Sequence, residues 1–252
     1  MFLPETRMKW NILRKKFLSK FLGKSIDVKD SWTSTPAALG NMVDFLNWFD
    51  TTASVAECLE KAQRDWHYRF QLSPQFNKVD KGAALEIGFG AGRLLHQAAK
   101  EFREVYGVDI HGAFDKSREF LRMNGVENPK LFLRNEISGV PDESIDFVYS
   151  FIVFQHFDSV DEVRFYLDAI RRILKKNGYA HIYFGKNPDR GVTVTKPEDF
   201  QLRDCSLFIE PAMMRELISQ QFEILEFQDK LPRDPEKNTG ESVQASVIFR
   251  RK

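Results

Sequence analysis

Three glycines within five residues, Gly88, Gly90 and Gly92, stand between an apolar run (Ala84, Leu85, Ile87) and a segment in which Leu95, Ala98, Ala99 and Phe102 recur at helical spacing. The pattern predicts strand, glycine turn, helix. Glycine has no Cβ and tolerates positive φ, so such a turn lets a ligand come close to the backbone. The helix that follows offers unpaired N–H groups to whatever sits there. A second apolar run, Val105 to Val108, ends in Asp109, 21 positions after Gly88. An acid at that distance in a strand–helix–strand unit is placed to accept hydrogen bonds from the ribose of a nucleoside. The chemistry these residues can do is therefore the binding of a nucleoside cofactor.

A dinucleotide fingerprint needs glycine at its first, third and sixth places, and the sixth place here is Arg93. The third glycine comes one place early, giving GxGxG, and Glu86 lies two residues before the first. Leu85, Glu86, Ile87, Gly88, Gly90 and Gly92 together resemble the first motif of the class I S-adenosylmethionine-dependent methyltransferases, (V/L)LE(I/V)GxGxG. The resemblance covers residues 82 to 184 well and the final helix and strands loosely. It implies S-adenosylmethionine as cofactor, S-adenosylhomocysteine as product, and a Rossmann-like fold. That α/β fold is a seven-stranded, mostly parallel sheet with an antiparallel terminal strand and helices on both faces.

Site residues follow from the resemblance by position. Gly88, Gly90 and Gly92 would border the methionine part of the cofactor, with Glu86 beneath them. Asp109 would accept from both ribose hydroxyls, and Ile110 would pack on adenine. The acid that often follows the third strand and meets the adenine amino group is replaced by Asn135, with Glu136 beside it; an amide oxygen can still accept. Ser150 and Phe151 would approach the sulfonium. The stretch Phe151 to Phe157 (FIVFQHF) matches a pattern of small-molecule methyltransferases in which a histidine follows the fourth strand, making His156 the candidate base. No comparable argument supports His67, His96, His111 or His181, and His181 falls in mid-strand, where a structural role is expected.

Absences narrow the acceptor. Tyr149 to Ile152 reads YSFI, without the Asp/Asn-Pro-Pro-aromatic tetrad of enzymes that methylate amino groups of DNA bases, and Cys205 follows Asp204 where a cytosine-C5 enzyme needs Pro-Cys. Lysine plus arginine (37) nearly cancels aspartate plus glutamate (36), so no overall basic field serves nucleic acid. The expected partner is a small-molecule methyl acceptor, such as a sugar or a lipid-linked intermediate. Cys58 and Cys205 give neither a disulfide framework nor zinc spacing, and no metal site is expected. With no membrane span and no signal-peptide h-region, the expected location is cytoplasmic. Two other readings stay open: a non-catalytic cofactor-binding module of the same fold, and an NAD-dependent oxidoreductase, which Arg93 disfavours.

The elements that must position these residues divide into a helical extension, 1–75, and a cofactor-binding domain, 76–252. Residues 1–24 carry seven basic side chains against Glu5 alone, interleaved with Trp10, Leu13, Phe17 and Phe21. Such a helix either docks on its own domain or makes peripheral contact with an anionic membrane. Helical spacing resumes at Leu39, Met42, Val43, Leu46 and Phe49. Ser54, with Glu57 three residues on, should cap a second helix. Trp66, Tyr68 and Arg69 are candidates to face the site, although Trp66 reads equally well as core. Strands are expected at 105–108, 130–134, 145–151 and 179–184, with helices at 114–123 and 160–174. Residues 185–210 show no period and read as a substrate-side insertion. Pro211 opens a last helix, and 222–227 with 243–249 form a terminal pair of strands.

Overall fold

The apolar run before the glycines is a fully buried strand, β1 (Ala83–Ile87), and it lies inside the sheet with a parallel neighbour on each side. The computed structural model describes residues 28–187, 191–194 and 205–252. The basic segment 1–24 and half of the 185–210 insertion (188–190 and 195–204) lie outside them. β1 leads through the glycine turn into α4 (Arg93–Ala98), and β2 (Glu104–Asp109), α5 (Phe114–Met123), β3 (Lys130–Leu133) and β4 (Ile145–Ser150) follow. Next come α6 (Val160–Ile173), β5 (Leu174–Gly185), α7 (Pro211–Ser219), β8 (Phe222–Gln228) and β11 (Gln244–Arg251). The sheet order is β3-β2-β1-β4-β5-β11-β8, and β11 runs antiparallel to both of its neighbours. This is the expected seven-stranded sheet with one reversed strand.

Alternation along the strands divides the core into two layers. Leu85, Ile87 and Val148 join one cluster with Leu167 and Ile170 of α6 and Leu217 of α7. Ala84, Phe147 and Tyr149 join the other, with Leu95 of α4, Phe120 of α5 and the N-terminal helices. Those helices are α1 (Val28–Ala38), α2 (Met42–Phe49) and α3 (Val55–Trp66). Glu86 shares the parity of Ala84 and so points to the second layer, where apolar residues would be the norm.

Local chemistry sets the helix starts. Ser54 Oγ accepts from Glu57 N at 3.1 Å, while Glu57 Oε2 accepts from Ala53 N at 2.7 Å. Ser159 Oγ caps α6 through Glu162 N at 3.4 Å. The structure also departs from the expected elements. α6 stops at Ile173, one residue early, because Leu174 already belongs to β5. Lys175 is tied to the buried Asp146 carboxylate at 2.8 and 2.9 Å, which extends the strand through a stretch that resembles a helix stop signal. Within the insertion, β6 (Val192–Val194) pairs antiparallel with β7 (Leu207–Ile209). Between β8 and β11 a small hairpin forms from β9 (Pro232–Asp234) and β10 (Thr239–Glu241).

Candidate active site

A cavity of ≈ 290 Å³ opens beyond the carboxyl ends of β1, β2 and β4, the edge where open α/β sheets bind ligands. Glu86, Gly88, Gly90, Asp109, Ile110, Phe151 and His156 all line it. Gly88 and Gly90 have φ of +73° and +53°. A Cβ on Gly88 would stand 2.3 Å from Val153 Cγ2, and one on Gly90 would stand 2.9 Å from Phe49 Cδ1. Both glycines are thus fixed by conformation and by close approach of neighbouring walls.

Asp109 is buried and accepts three backbone N–H groups: Gly90 N at 2.8 Å on Oδ2, and Ile110 N at 2.7 Å and His111 N at 3.2 Å on Oδ1. A carboxylate offers about four lone-pair sites, so one remains, on Oδ2. Glu86 receives the Tyr149 hydroxyl at 3.2 Å. Burial pushes its carboxyl well above the ordinary range, against the partial opposition of the Arg93 charge.

Four predicted positions are not part of the cavity wall. Gly92 is the left-handed N-cap of α4, at φ +95°, and a Cβ there would meet Leu121 at 3.1 Å. Ser150 Oγ donates to Ile87 O at 2.9 Å, so it locks β4 to β1. Asn135 and Glu136 are exposed on the 3-10 turn after β3, where Glu136 Oε2 accepts Leu133 N at 3.2 Å. Among the N-terminal candidates, Trp66 is core: its ring packs on Phe70 and Tyr149, and its indole donates to Glu101 at 2.6 Å. Arg69 lies over the rings of Phe151 and Tyr183, and neither it nor Tyr68 lines the cavity. His181 is buried in β5 with no partner on Nε2, and burial lowers its pKa to about 3.

The N-terminal helices reach the cavity through residues that the sequence did not assign to the site. Trp32 of α1, Leu46, Phe49 and Asp50 at the end of α2, and Cys58 of α3 all line it. Arg93 meets them from below: Nη1 bonds Asp65 at 2.7 Å and Nε lies 3.4 Å from Asp50. Burial works against that charge, but the two carboxylates outweigh it and raise the Arg93 pKa. The Cys58 thiol is pushed up to about 11 by burial and stays protonated.

The opposite wall leaves β4 through Phe151 and Ile152. Ile152 is a β-branched residue held at φ +62°, a conformation that costs about 1–2 kcal/mol. The 3-10 turn Phe154–His156 follows, and the half-buried His156 ring stands 5.3 Å from the Trp32 ring. Glu162 and Tyr166 of α6 and Ser206 complete this side. Glu162 is held by the Arg134 guanidinium, with Nη2 to Oε2 at 2.7 Å. Ser206 Oγ donates to Phe157 O at 2.7 Å, and Gln155 accepts Gln244 Nε2 at 2.6 Å, which pins the turn to β11.

The lining fits a cationic nucleoside: the Asp109 carboxylate and the Glu86 carboxyl beside the apolar Phe89, Leu94 and Ile110, over a glycine turn that leaves no room for a Cβ. Residues 85–182 match the family model described as a methyltransferase domain. That match agrees with the resemblance of the glycine motif to the class I S-adenosylmethionine-dependent methyltransferases. S-adenosylmethionine is the cofactor this resemblance implies, and the residues lining the cavity fit it. Over 165 residues the chain is 25% identical to the nonribosomal peptide synthetase agiA of Aspergillus flavus, which takes in 62% of this chain and 2% of that protein. Two solved structures share the fold of the methyltransferase domain. An S-adenosylmethionine-dependent methyltransferase of Methanosarcina mazei has a TM-score of 0.56 at 19% identity, covering 71% of this chain and 98% of that one. The N-methyltransferase NodS of Bradyrhizobium japonicum, in complex with S-adenosylhomocysteine, has a TM-score of 0.55 at 10% identity, covering 84% of this chain and 99% of that one. Among the described residues no cluster could hold a metal ion, and no helix is long and apolar enough to cross a membrane.

Proposed function

We propose that the chain methylates an oxygen or nitrogen of a small-molecule acceptor held beneath the N-terminal helices. The observation that carries this reading is a single cavity. It brings Glu86, Gly88, Gly90, Asp109 and Ile110 together with Phe151 and His156, under a cover made by Trp32, Phe49 and Asp50. A cover of helix and aromatic rings suits an acceptor small enough to be enclosed, such as a sugar or the head of a lipid-linked intermediate, better than a nucleic acid strand. NodS is an N-methyltransferase, which keeps nitrogen beside oxygen as the acceptor atom.

When bound, S-adenosylmethionine supplies the activated methyl group. The chain's own work is to place and align. Asp109 offers its remaining lone pair to a ribose hydroxyl, Ile110 packs on the base, and Glu86 faces the amino-acid end. Phe151 and Ile152 carry the wall past the glycine turn and exclude water, so that the nucleophile is held near contact distance, roughly 3–3.5 Å. His156 is placed to take the proton of a hydroxyl or ammonium acceptor. Of the extension 1–75, the described residues 28–75 act as the cover, 76–252 act as the cofactor-binding domain, and Val194 and Ser206 of the 185–210 insertion face the acceptor side. Residues 1–24 are the segment through which a peripheral membrane contact would be made.

The test is transfer of labelled methyl from S-adenosylmethionine into a pool of cell metabolites, followed by separation by mass. Label in a low-mass product supports the reading. Label in nucleic acid or protein, or binding of S-adenosylhomocysteine without any transfer, overturns it, the last outcome favouring a non-catalytic module.

A further inference from the structure

The glycine turn and Asp109 are not held independently. Asp109 Oδ2 accepts Gly90 N at 2.8 Å, the Gly90 carbonyl faces His111 Nε2 at 2.9 Å, and His111 N returns to Asp109 Oδ1 at 3.2 Å. Three residues therefore close a hydrogen-bonded circuit. A fourth contact fixes the tautomer. Ala113 N–H donates to His111 Nδ1 at 3.1 Å, so Nδ1 carries the lone pair and Nε2 carries the hydrogen that Gly90 accepts. Ser117 Oγ gives the same carbonyl a second donor at 3.0 Å.

The imidazole is wholly buried among phenyl rings, and Phe49 of α2 lies 5.0 Å from it, centroid to centroid. The same Phe49 touches Gly90 where a Cβ would be. Packing alone would be met there by another phenyl ring. An imidazole adds one donor and one acceptor on opposite edges, and the structure uses both.

We infer that His111 is a positioning residue for cofactor recognition, acting through Gly90 on the Asp109 carboxylate and passing to it the docking of the N-terminal helices. The circuit and Ile110 N leave Asp109 one lone-pair site. Gly90 N and Gly90 O belong to successive peptide units joined by the Gly90 φ and ψ, so the donors on Gly90 O restrict the torsions that aim Gly90 N at the carboxylate. Without the His111 donor only Ser117 holds that carbonyl, the glycine torsions are freer, and the carboxylate's partner is less firmly aimed. The inference rests on the assignment of Asp109 to the cofactor's ribose.

The test titrates S-adenosylhomocysteine calorimetrically into wild type, His111→Gln, His111→Phe and Ser117→Ala, each with Asp109 present and as Asp109→Ala. Ligand-free melting temperature and amide exchange at Gly90 are measured in parallel. His111→Gln keeps a donor within reach of Gly90 O and should bind within about threefold of wild type. His111→Phe should lose about tenfold or more, the size of one hydrogen bond. Its Gly90 amide should exchange faster even without ligand, and its loss of affinity should vanish in the Asp109→Ala background. Ser117→Ala should show a smaller loss with the same dependence on Asp109, which carries the test if His111→Phe does not fold. The inference is overturned if His111→Phe binds like wild type, if its loss persists without Asp109, or if the glutamine and phenylalanine variants weaken equally and in step with melting temperature. A wild type that does not bind the ligand overturns the cofactor assignment instead, while Gly90 exchange still reads the circuit.

Discussion

Arg93, the first residue of the helix after the glycine turn, donates to Asp65 of α3 at 2.7 Å. Its Nε lies 3.4 Å from Asp50 at the end of α2. The residue that breaks the dinucleotide fingerprint thus ties the N-terminal helices to the cofactor turn.

Replacing Arg93 by alanine strands two partly buried carboxylates. Loss of one partner of such a group costs about 3–5 kcal/mol when burial is deep; with side-chain exposures of 14% to 27% here, about 2–3 kcal/mol is expected. Chemical denaturation should show that loss. A double variant, Asp50→Asn with Asp65→Asn, should recover part of it in the Arg93→Ala background.

Glu86 gives a pH signature. Its folded pKa lies above the unfolded value of 4.5 because burial penalises the charge. A raised pKa means that the folded state binds the proton more tightly. Its contribution is therefore fully present below 4.5 and is lost as pH rises through the folded pKa. Glu86→Gln keeps an acceptor for Tyr149 and carries no charge. It should raise the melting temperature at pH 8 by more than at pH 5; an equal change at both would contradict this.

Ile152 stores strain at the cavity wall. Asparagine tolerates positive φ far better, and at 40% exposure little burial is lost. Ile152→Asn should stabilise the fold by about 1 kcal/mol. Methyl transfer should fall at the same time if the isoleucine side chain serves the wall, and both are read from one purified variant.

His156→Ala should lower turnover by about 10²- to 10⁴-fold with cofactor affinity within a few-fold of wild type. Unchanged turnover would mean that the acceptor arrives already deprotonated. Loss of melting temperature in step with activity would mean that the ring matters for packing on Trp32.

The sheet was legible because most of its strands are short apolar runs closed by turn residues, β5 excepted, whose first five residues read as a helix stop. The glycine turn was legible because three glycines within five residues mark a place where positive φ is needed. Much of the cavity wall was not. α1 carries Pro36 inside a run of Ser and Thr, with no apolar period to betray it, so Trp32 had no signal. Glu162, Tyr166 and Ser206 reach the cavity only through tertiary folding. Asn135 and Glu136 fall at the right place in the chain, yet the turn after β3 exposes both to solvent. His111 sits two residues beyond Asp109, but its role depends on Gly90, 21 positions away. Arg93 left a trace only as the residue that breaks the dinucleotide fingerprint, and its ion pairs to Asp50 and Asp65 needed the fold.

The central claim is that Asp109 and the glycine turn hold S-adenosylmethionine. Calorimetry with S-adenosylhomocysteine and with NAD, on wild type and on Asp109→Ala, tests it most directly. Wild type should bind S-adenosylhomocysteine and not NAD, and Asp109→Ala should lose about 1.5–3 kcal/mol of that binding, the worth of a hydrogen bond to a charged acceptor. Tight NAD binding, or an Asp109→Ala protein that binds S-adenosylhomocysteine as wild type does, would contradict it.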